Sequence, residues 1–427
     1  MKEVKVKRIL FVLFLLILVT LQSNDVFAES SIDVTRAHGN NMSDFYQPKG
    51  SIIADSQTGR ILWEEHIDKP WRPASMSKLM TLSIVLERIQ DGSLSMDKAV
   101  TVTADDERFS HHPLLSNNIM HEGTQYTIKE LINLLIVPSS NVATRMLMQQ
   151  VEPDTSKFVT MMNQKARMLK MEHTHFTNPF GAENRSVGNE YLPPGSNLDE
   201  DNSSTPRDFA KLAFYLKHTY PYLTSFTKHI TYTSKPNTPY EEHFHTYHHS
   251  LEGDVHEYKG TNGLKTGSSD KAAYNYTATI DRGNFGLVQV VMGVGHWDVD
   301  DSEYKRHVIG NALLDKVYNQ FEYIEVMPKG KQFINGKWYN VETPLRDVVE
   351  KGQQIKFEVK NNQLLVADTQ RQYLTSDMKQ PSVTVTPLKQ NYIYMVSRYG
   401  WYLLIALCLI AILCIISRNR KKIDKIK

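Results

Sequence analysis

The chain has 427 residues, 41% hydrophobic and 22% charged, with a formal net charge of +2. That composition excludes a disordered, collagen-like or multi-span membrane protein and gives no basis for a nucleic-acid partner. The charge is unevenly placed: residues 1–28 carry +2 and residues 418–427 carry +5, which leaves −5 on 29–417.

The N-terminus has the pattern of a secretory signal over 1–28. Lys2, Lys5, Lys7 and Arg8 precede the uncharged run Ile9–Thr20, and Val26-Phe27-Ala28 places a small residue before an expected cleavage at Glu29. Residues 29–48 are polar and without clear periodicity, and we expect an unstructured lead-in. A mixed region follows, to about 321. Ser51–Asp55 and Arg60–Trp63 flank Gln57-Thr58-Gly59 as a β-hairpin. Helices are expected at Leu79–Ile89, Ile128–Val137, Val142–Val151, Thr155–Leu169 and Arg207–Lys217. Alternating runs at Tyr274–Ile280 and Phe285–Val294 make a second hairpin, followed by a helix near Tyr304–Tyr318. Strands at both ends with helices between them predict an α/β chain of the α+β type, one antiparallel sheet covered by helices, over 29–321.

From 322 to 391 the pattern turns to short strands around Asn335-Gly336 and Asn361-Asn362, a small all-β domain. Tyr399–Ile416 is uncharged, about 27 Å long as a helix, and is followed by six basic residues. It reads as one transmembrane helix over 399–417 with a cytoplasmic basic tail over 418–427. Both cysteines, Cys408 and Cys414, lie in it, so the body has no disulfide framework.

Three short motifs carry chemistry. Ser75-Met76-Ser77-Lys78 follows Pro73 at a helix start, and a spacing of three puts Ser75 and Lys78 on one face. A lysine kept neutral by burial or neighbouring charge can take the serine proton. Ser139-Ser140-Asn141 follows Pro138 in an inter-helix loop, where a hydroxyl can relay a proton and an amide can hold a carbonyl. The same residues equally make an ordinary helix cap. Lys265-Thr266-Gly267-Ser268 precedes the second hairpin and offers a positive charge and a hydroxyl to a carboxylate on a strand that can pair with an extended peptide. Each is weak alone.

Together and in this order, 64 and 126 residues apart, they match S-x-x-K, S-x-N and K-T-G of penicillin-binding proteins and serine β-lactamases. With Pro73–Met80, Thr174–Pro179 and Gly263–Asp270, the chain resembles over most of its length the low-molecular-mass penicillin-binding proteins, D-alanyl-D-alanine carboxypeptidases and transpeptidases. The resemblance implies the fold shared by serine β-lactamases and DD-peptidases. It implies Ser75 as nucleophile, Lys78 as general base, and Ser139 and Asn141 as a second wall. Lys265 and Thr266, with Gly267 and Ser268 beside them, would take the substrate carboxylate, and the N–H groups of Ser75 and Ser268 would form an oxyanion hole. It implies no cofactor and no metal, a peptidoglycan stem peptide ending in D-Ala-D-Ala as substrate, and β-lactams as inhibitors. A β-lactamase and a non-catalytic wall-binding scaffold are the alternatives. The first would require a deacylating Glu, a role for which the sequence gives Glu183 no basis.

Three further features are weighed. His243, His245, His248 and His249, with His256 nearby, suggest zinc by spacing, but no cysteine or clear carboxylate set accompanies them. A loop at the rim of the cleft is expected instead. Tyr247 is a candidate aromatic wall, with packing as the alternative. Arg306 is a candidate to reach the cleft, with a solvated ion pair as the default.

Overall fold

The computed structural model describes residues 29–368, 370–388 and 392–423. The signal-peptide reading of 1–28 lies outside them. The chain forms two compact units. The first runs through Asn319 and takes in Gln372–Met378; the second comprises Gln320–Arg371 and the chain from Lys379 onward.

The first unit begins with a helix, α1 (Ser31–Ala37), where a lead-in was expected. Ser30 and Asp33 form a capping box, and Ile32 and Val34 are buried. The polar positions that hid this helix are buried too. Ser31 Oγ lies 3.0 Å from Ser51 Oγ on the first strand, and Thr35 Oγ1 donates to Ser31 O.

That strand, β1 (Gly50–Asp55), pairs with β2 (Ile61–Glu65). Then come the helices α2 (Lys78–Gln90), α3 (Ile128–Ile136), α4 (Asn141–Gln149), α5 (Thr155–Met168) and α6 (Pro206–Thr219). Their starts are chemically marked. Thr127 and Glu130 close a capping box on α3, Ser140 caps α4, Asp154 caps α5, and Thr205 with Pro206 opens α6. Three long strands follow, β3 (Thr261–Ser269), β4 (Ala273–Arg282) and β5 (Phe285–Val294), and then α7 (Asp301–Gln320).

The sheet order is β2-β1-β5-β4-β3, all antiparallel. Every residue of β1 and β5 is buried, as expected for strands covered on both faces. α6 packs on β1, β4 and β5. α7 is tied to the sheet through Gln289, which donates to Gly310 O and accepts from Tyr276. α2 is buried without a break from Lys78 to Leu86, so it is a core helix rather than an amphipathic one. Each fully buried Leu or Ile there contributes about 1.5–3 kcal/mol. β3 closes one edge of the sheet, with β4 as its only sheet neighbour among the described residues. Within this unit, Gln372–Met378 lies along β2, with Ile61 N donating to Gln372 O and Leu374 N to Gly59 O. The small β-domain is therefore interrupted where a continuous 322–391 stretch was expected.

The second unit adds two strands that the sequence pattern did not mark, β6 (Phe321–Met327) paired with β9 (Leu345–Glu350). A five-stranded sheet, β7-β8-β12-β11-β10, is built from β7 (Gly330–Ile334), β8 (Lys337–Val341), β10 (Phe357–Lys360), β11 (Gln363–Val366) and β12 (Ser382–Pro387). Asn335 and Gly336 both have positive φ, as do Asn361 and Asn362, the two-residue turns that suit a twisted hairpin. A small core gathers Met327, Ile334, Val341, Leu345, Leu364, Val366 and Val385. The chain ends in α8 (Tyr392–Ile423). Within it, Tyr399–Ile416 is the one stretch among the described residues that is long and apolar enough to cross a membrane.

Candidate active site

Ser75 sits in a short 3-10 turn, Ala74–Ser77, that runs directly into α2. One turn on, Lys78 Nζ lies 2.8 Å from Ser75 Oγ and donates to Phe180 O at 2.9 Å. Lys78 is fully buried. Burial first, and then the charge of Lys265, hold its ammonium well below the ordinary lysine range. A neutral amine has one lone pair and two N–H groups. With one N–H on Phe180 O, the lone pair is left for the Ser75 proton.

The carbonyl that orients Lys78 is itself held. Asn178 Oδ1 accepts from Phe180 N and Gly181 N, an Asx-type turn. Asn202 Oδ1 accepts from Thr177 N and Asn178 N, and its amide donates to Asn178 O and Ser77 Oγ. Asn202 and Phe180 O were not singled out from the sequence. A backbone carbonyl has no sequence signature, although Asn178-Pro179 stood in the segment that carried the resemblance.

The second wall is the link from α3 to α4. Ser139 adopts φ +61, uncommon for a non-glycine residue and costing of order 1–3 kcal/mol. The residues of this motif divide between two places. Ser140 is the helix cap: its Oγ accepts from Ala143 N and donates to Asn118 Oδ1. Ser139 and Asn141 line the cleft. Asn141 Nδ2 donates to Ser116 O, while Asn141 Oδ1 and Ser139 Oγ are buried without a hydrogen-bond partner among the described residues. Unpaired buried polar atoms are costly, so two facing one cleft suit a ligand.

The third wall is the edge strand β3, from which Thr266, Gly267 and Ser268 line the cleft. Gly267 is required by proximity: a Cβ there would stand 2.7 Å from Met76 N and 3.0 Å from Ser75 N. Lys265 lies beneath, 2% exposed, with Nζ 3.1 Å from Thr266 O. Burial, and then the charge of Arg306, push its pKa down to about 7. Tyr247 lines the cleft at 44% exposure, so it is not a packing residue. Trp297, Leu114, Leu115 and Glu303 line it as well and were not picked out from the sequence. The cleft holds about 530 Å³.

Arg306 differs from expectation. It is 1% exposed, so it is neither a solvated ion pair nor part of the lining. Its guanidinium donates to Tyr247 O, Asn275 O and His307 Nε2, and lies 3.7 Å from Glu303. It acts on the cleft by holding the Tyr247 backbone and through its charge. The histidines also differ. His243 and His245 are exposed, but His248 and His249 are buried rather than on a rim, and burial with Arg306 pushes His248 down to about 3. Nor do they lack carboxylates, since His249 meets both Asp254 and Glu303. Glu183 lines the cleft with its carboxylate accepting from Lys271 N at 3.0 Å, with Lys271 Nζ 3.8 Å away.

Residues 40–296 match the peptidase S11 family, described as D-alanyl-D-alanine carboxypeptidase. The chain belongs to this family. Residues 323–386 match a domain of unknown function, DUF1958. The chain is 25% identical over 280 residues to D-alanyl-D-alanine carboxypeptidase DacF of Bacillus subtilis, covering 65% of this chain and 64% of that protein. It is 25% identical over 286 residues to DacA of Escherichia coli K12, covering 66% and 63%. It thus spans a little under two thirds of these curated relatives. In fold it is similar to a peptidoglycan synthesis regulatory factor, PBP3, of Streptococcus pneumoniae. That likeness has a TM-score of 0.70 at 24% identity, over 80% of this chain and 99% of that one. A second likeness is to cefotaxime-bound penicillin-binding protein D2 of Listeria monocytogenes, with a TM-score of 0.50 at 23% identity over 65% and 98%.

Proposed function

We propose that this protein is a serine D-alanyl-D-alanine carboxypeptidase, with transpeptidase activity where an acceptor amine reaches the site. The observation that carries the proposal is the 2.8 Å approach of Ser75 Oγ to the buried Lys78 amine, between Ser139 and Thr266. A stem peptide lies along the β3 edge with its terminal carboxylate toward Lys265 and Thr266. Lys78 takes the Ser75 proton as Oγ attacks the carbonyl between the two D-alanines. The N–H groups of Ser75 and Ser268 receive the oxyanion. Ser139 relays the proton to the departing D-alanine amine, and Asn141 holds the substrate backbone. The acyl group then passes from Ser75 to water or to a neighbouring peptide's amine, and the serine is restored.

In this reading 29–321 is the penicillin-binding catalytic domain, and 322–391, apart from Gln372–Met378, which belongs to the first unit, is a juxtamembrane β-domain. Tyr399–Ile416 spans the membrane once, with the body outside, on a Gram-positive cell surface. Within the family we place the chain with penicillin-binding protein 4 of Gram-positive cocci. The engagement of Glu183 with Lys271 speaks against a deacylating glutamate, so β-lactams acylate Ser75 and leave slowly. The test is intact mass against time for the full chain in detergent with penicillin G. A one-drug adduct that persists for many minutes and is missing in Ser75→Ala is expected. Rapid return to the free mass with drug consumed would make the protein a β-lactamase, and no adduct with no consumption would leave a scaffold.

A further inference from the structure

Between the cleft and the preceding loop stands a cluster that the proposed chemistry does not use. His245 ends a short strand, Glu242–His245, and His249 and Asp254 follow in the loop before β3. Their hydrogen-bond partners fix the proton positions. His245 Nδ1 lies 2.9 Å from Thr246 O, and a carbonyl only accepts, so Nδ1 carries the proton and Nε2 presents its lone pair. That Nε2 is 3.7 Å from Asp254 Oδ1. His249 Nε2 lies 3.1 Å from Glu303 Oε1, so in the neutral ring the proton sits there and Nδ1 presents its lone pair. That Nδ1 is 3.1 Å from Asp254 Oδ2.

Two imidazole lone pairs therefore converge on one carboxylate. Asp254 is 2% exposed at its side chain, and its ion-pair partners among the described residues are these two histidines. Val255 N donates to Asp254 Oδ1 at 2.7 Å, and a positive charge between the carboxylate and the two lone pairs would complete the set. The three donor atoms lie within 4.8 Å of one another. A tetrahedral ion with ligand bonds of about 2.0–2.2 Å needs them about 3.3 Å apart; His249 Nδ1 stands 3.1 Å from Asp254 Oδ2 and His245 Nε2 3.7 Å from Asp254 Oδ1, so the set closes somewhat on the ion as it binds.

We propose that His245 Nε2, His249 Nδ1 and the Asp254 carboxylate form a divalent-metal site suited to Zn2+, with Glu303 as the outer carboxylate that orients His249. Two imidazoles and one carboxylate, with an open side at the half-exposed His245, match a three-ligand zinc site whose fourth position is water. Glu303 also lines the cleft and lies 3.7 Å from Arg306, which holds the Tyr247 carbonyl. Metal occupancy thereby stiffens the wall that carries Tyr247.

The test uses the full chain, tag-free and chelator-treated, equilibrated with ZnCl2, desalted and assayed for metal by mass spectrometry. One Zn2+ per chain is expected, with an upward shift in Tm because the metal binds only the folded form. Binding should weaken at least tenfold in His245→Gln, a half-exposed position that should fold normally, and 10–100-fold in Glu303→Gln. It should be unchanged in His218→Gln, on α6. Co2+ in place of zinc should give tetrahedral visible bands that His245→Gln abolishes. No stoichiometric zinc, or zinc that His245→Gln leaves in place, would overturn the site and leave His249 as an imidazolium between two carboxylates. Since the readout is metal content, the outcome is independent of whether Ser75 is acylated.

Discussion

The two sides of the cleft floor each bury a lysine, and the same physics gives them different chemistry. Lys78 has its nitrogen between Ser75 Oγ and Phe180 O, and burial, then the charge of Lys265, favours its amine form. Lys265 has one hydrogen bond, to a neighbouring carbonyl, and its charge is poised near neutrality beside Arg306. A group whose proton is already lost serves as a base. A group at the edge of losing it gains most from an arriving carboxylate. On the proposed reading, burial leads and one neighbouring cation follows at both lysines, and what each nitrogen touches, Ser75 Oγ or Thr266 O, separates catalysis from recognition.

The sharpest way to break that comparison is to remove one lysine at a time. Lys78→Ala should slow acylation by penicillin by about 10²–10⁴-fold, as stopped-flow binding would measure, with substrate affinity little changed. Lys265→Met should act the other way round. It should raise KM for a carboxylate-terminated peptide by about 10–100-fold, the worth of a hydrogen bond to a charged group, and change acylation at saturation less. Comparable losses of acylation at saturation in both variants would collapse the distinction.

The pH response sharpens it further. The pKa of free Lys265 near 7 means that above this pH a carboxylate must bring a proton with it to bind the charged form. Apparent affinity should then fall by up to tenfold per pH unit above about 7, and a substrate amidated at its C-terminus should lose the dependence. The same shift has a stability sign. The unfolded lysine keeps the ordinary value of 10.5, so between about 7 and 10.5 the unfolded chain binds more protons and stability rises with pH. The penalty is fully present below about 7. Lys265→Met should therefore raise stability at pH 7 by about 1–4 kcal/mol, read by thermal or denaturant unfolding. The smallest effect is expected at the rim. Tyr247→Ala should cost less than about tenfold in kcat/KM, because the ring is 44% exposed and only partly desolvated.

Much of this was legible in the residues, and what was not has a physical reason. Ser75 and Lys78 could be paired because one helical turn brings them together, and β3 could be read as a strand from its place before a hairpin. Ser139-Ser140-Asn141 carried two readings because its middle residue caps a helix while the flanking two face the cleft. Helix α1 was missed because Ser31 and Thr35 are buried through hydrogen bonds, so its apolar periodicity is thin. Arg306 was read as reaching the cleft or, by default, as a solvated ion pair, and it is neither, because a long cation defaults to solvent in any reading of sequence alone. Only packing reveals that backbone carbonyls of Tyr247 and Asn275 receive it. Asp254 escaped notice because nothing in a five-residue offset announces a carboxylate folded back onto two imidazoles.

The missing side chain at Gly267 has a consequence for how this enzyme family can evolve under antibiotic pressure. With β3 pressed against the Ser75 backbone, the floor has no spare room. On the proposed reading, a change at Gly267 or Lys78 impairs the natural reaction along with the drug. An inhibitor that takes the peptide's own route to Ser75 is then evaded most readily from the exposed margin, at Leu114, Tyr247 or Trp297, where bulk can be altered without touching the nucleophile. Compounds that keep their contacts on the β3 backbone and away from that margin leave resistance the fewest places to arise.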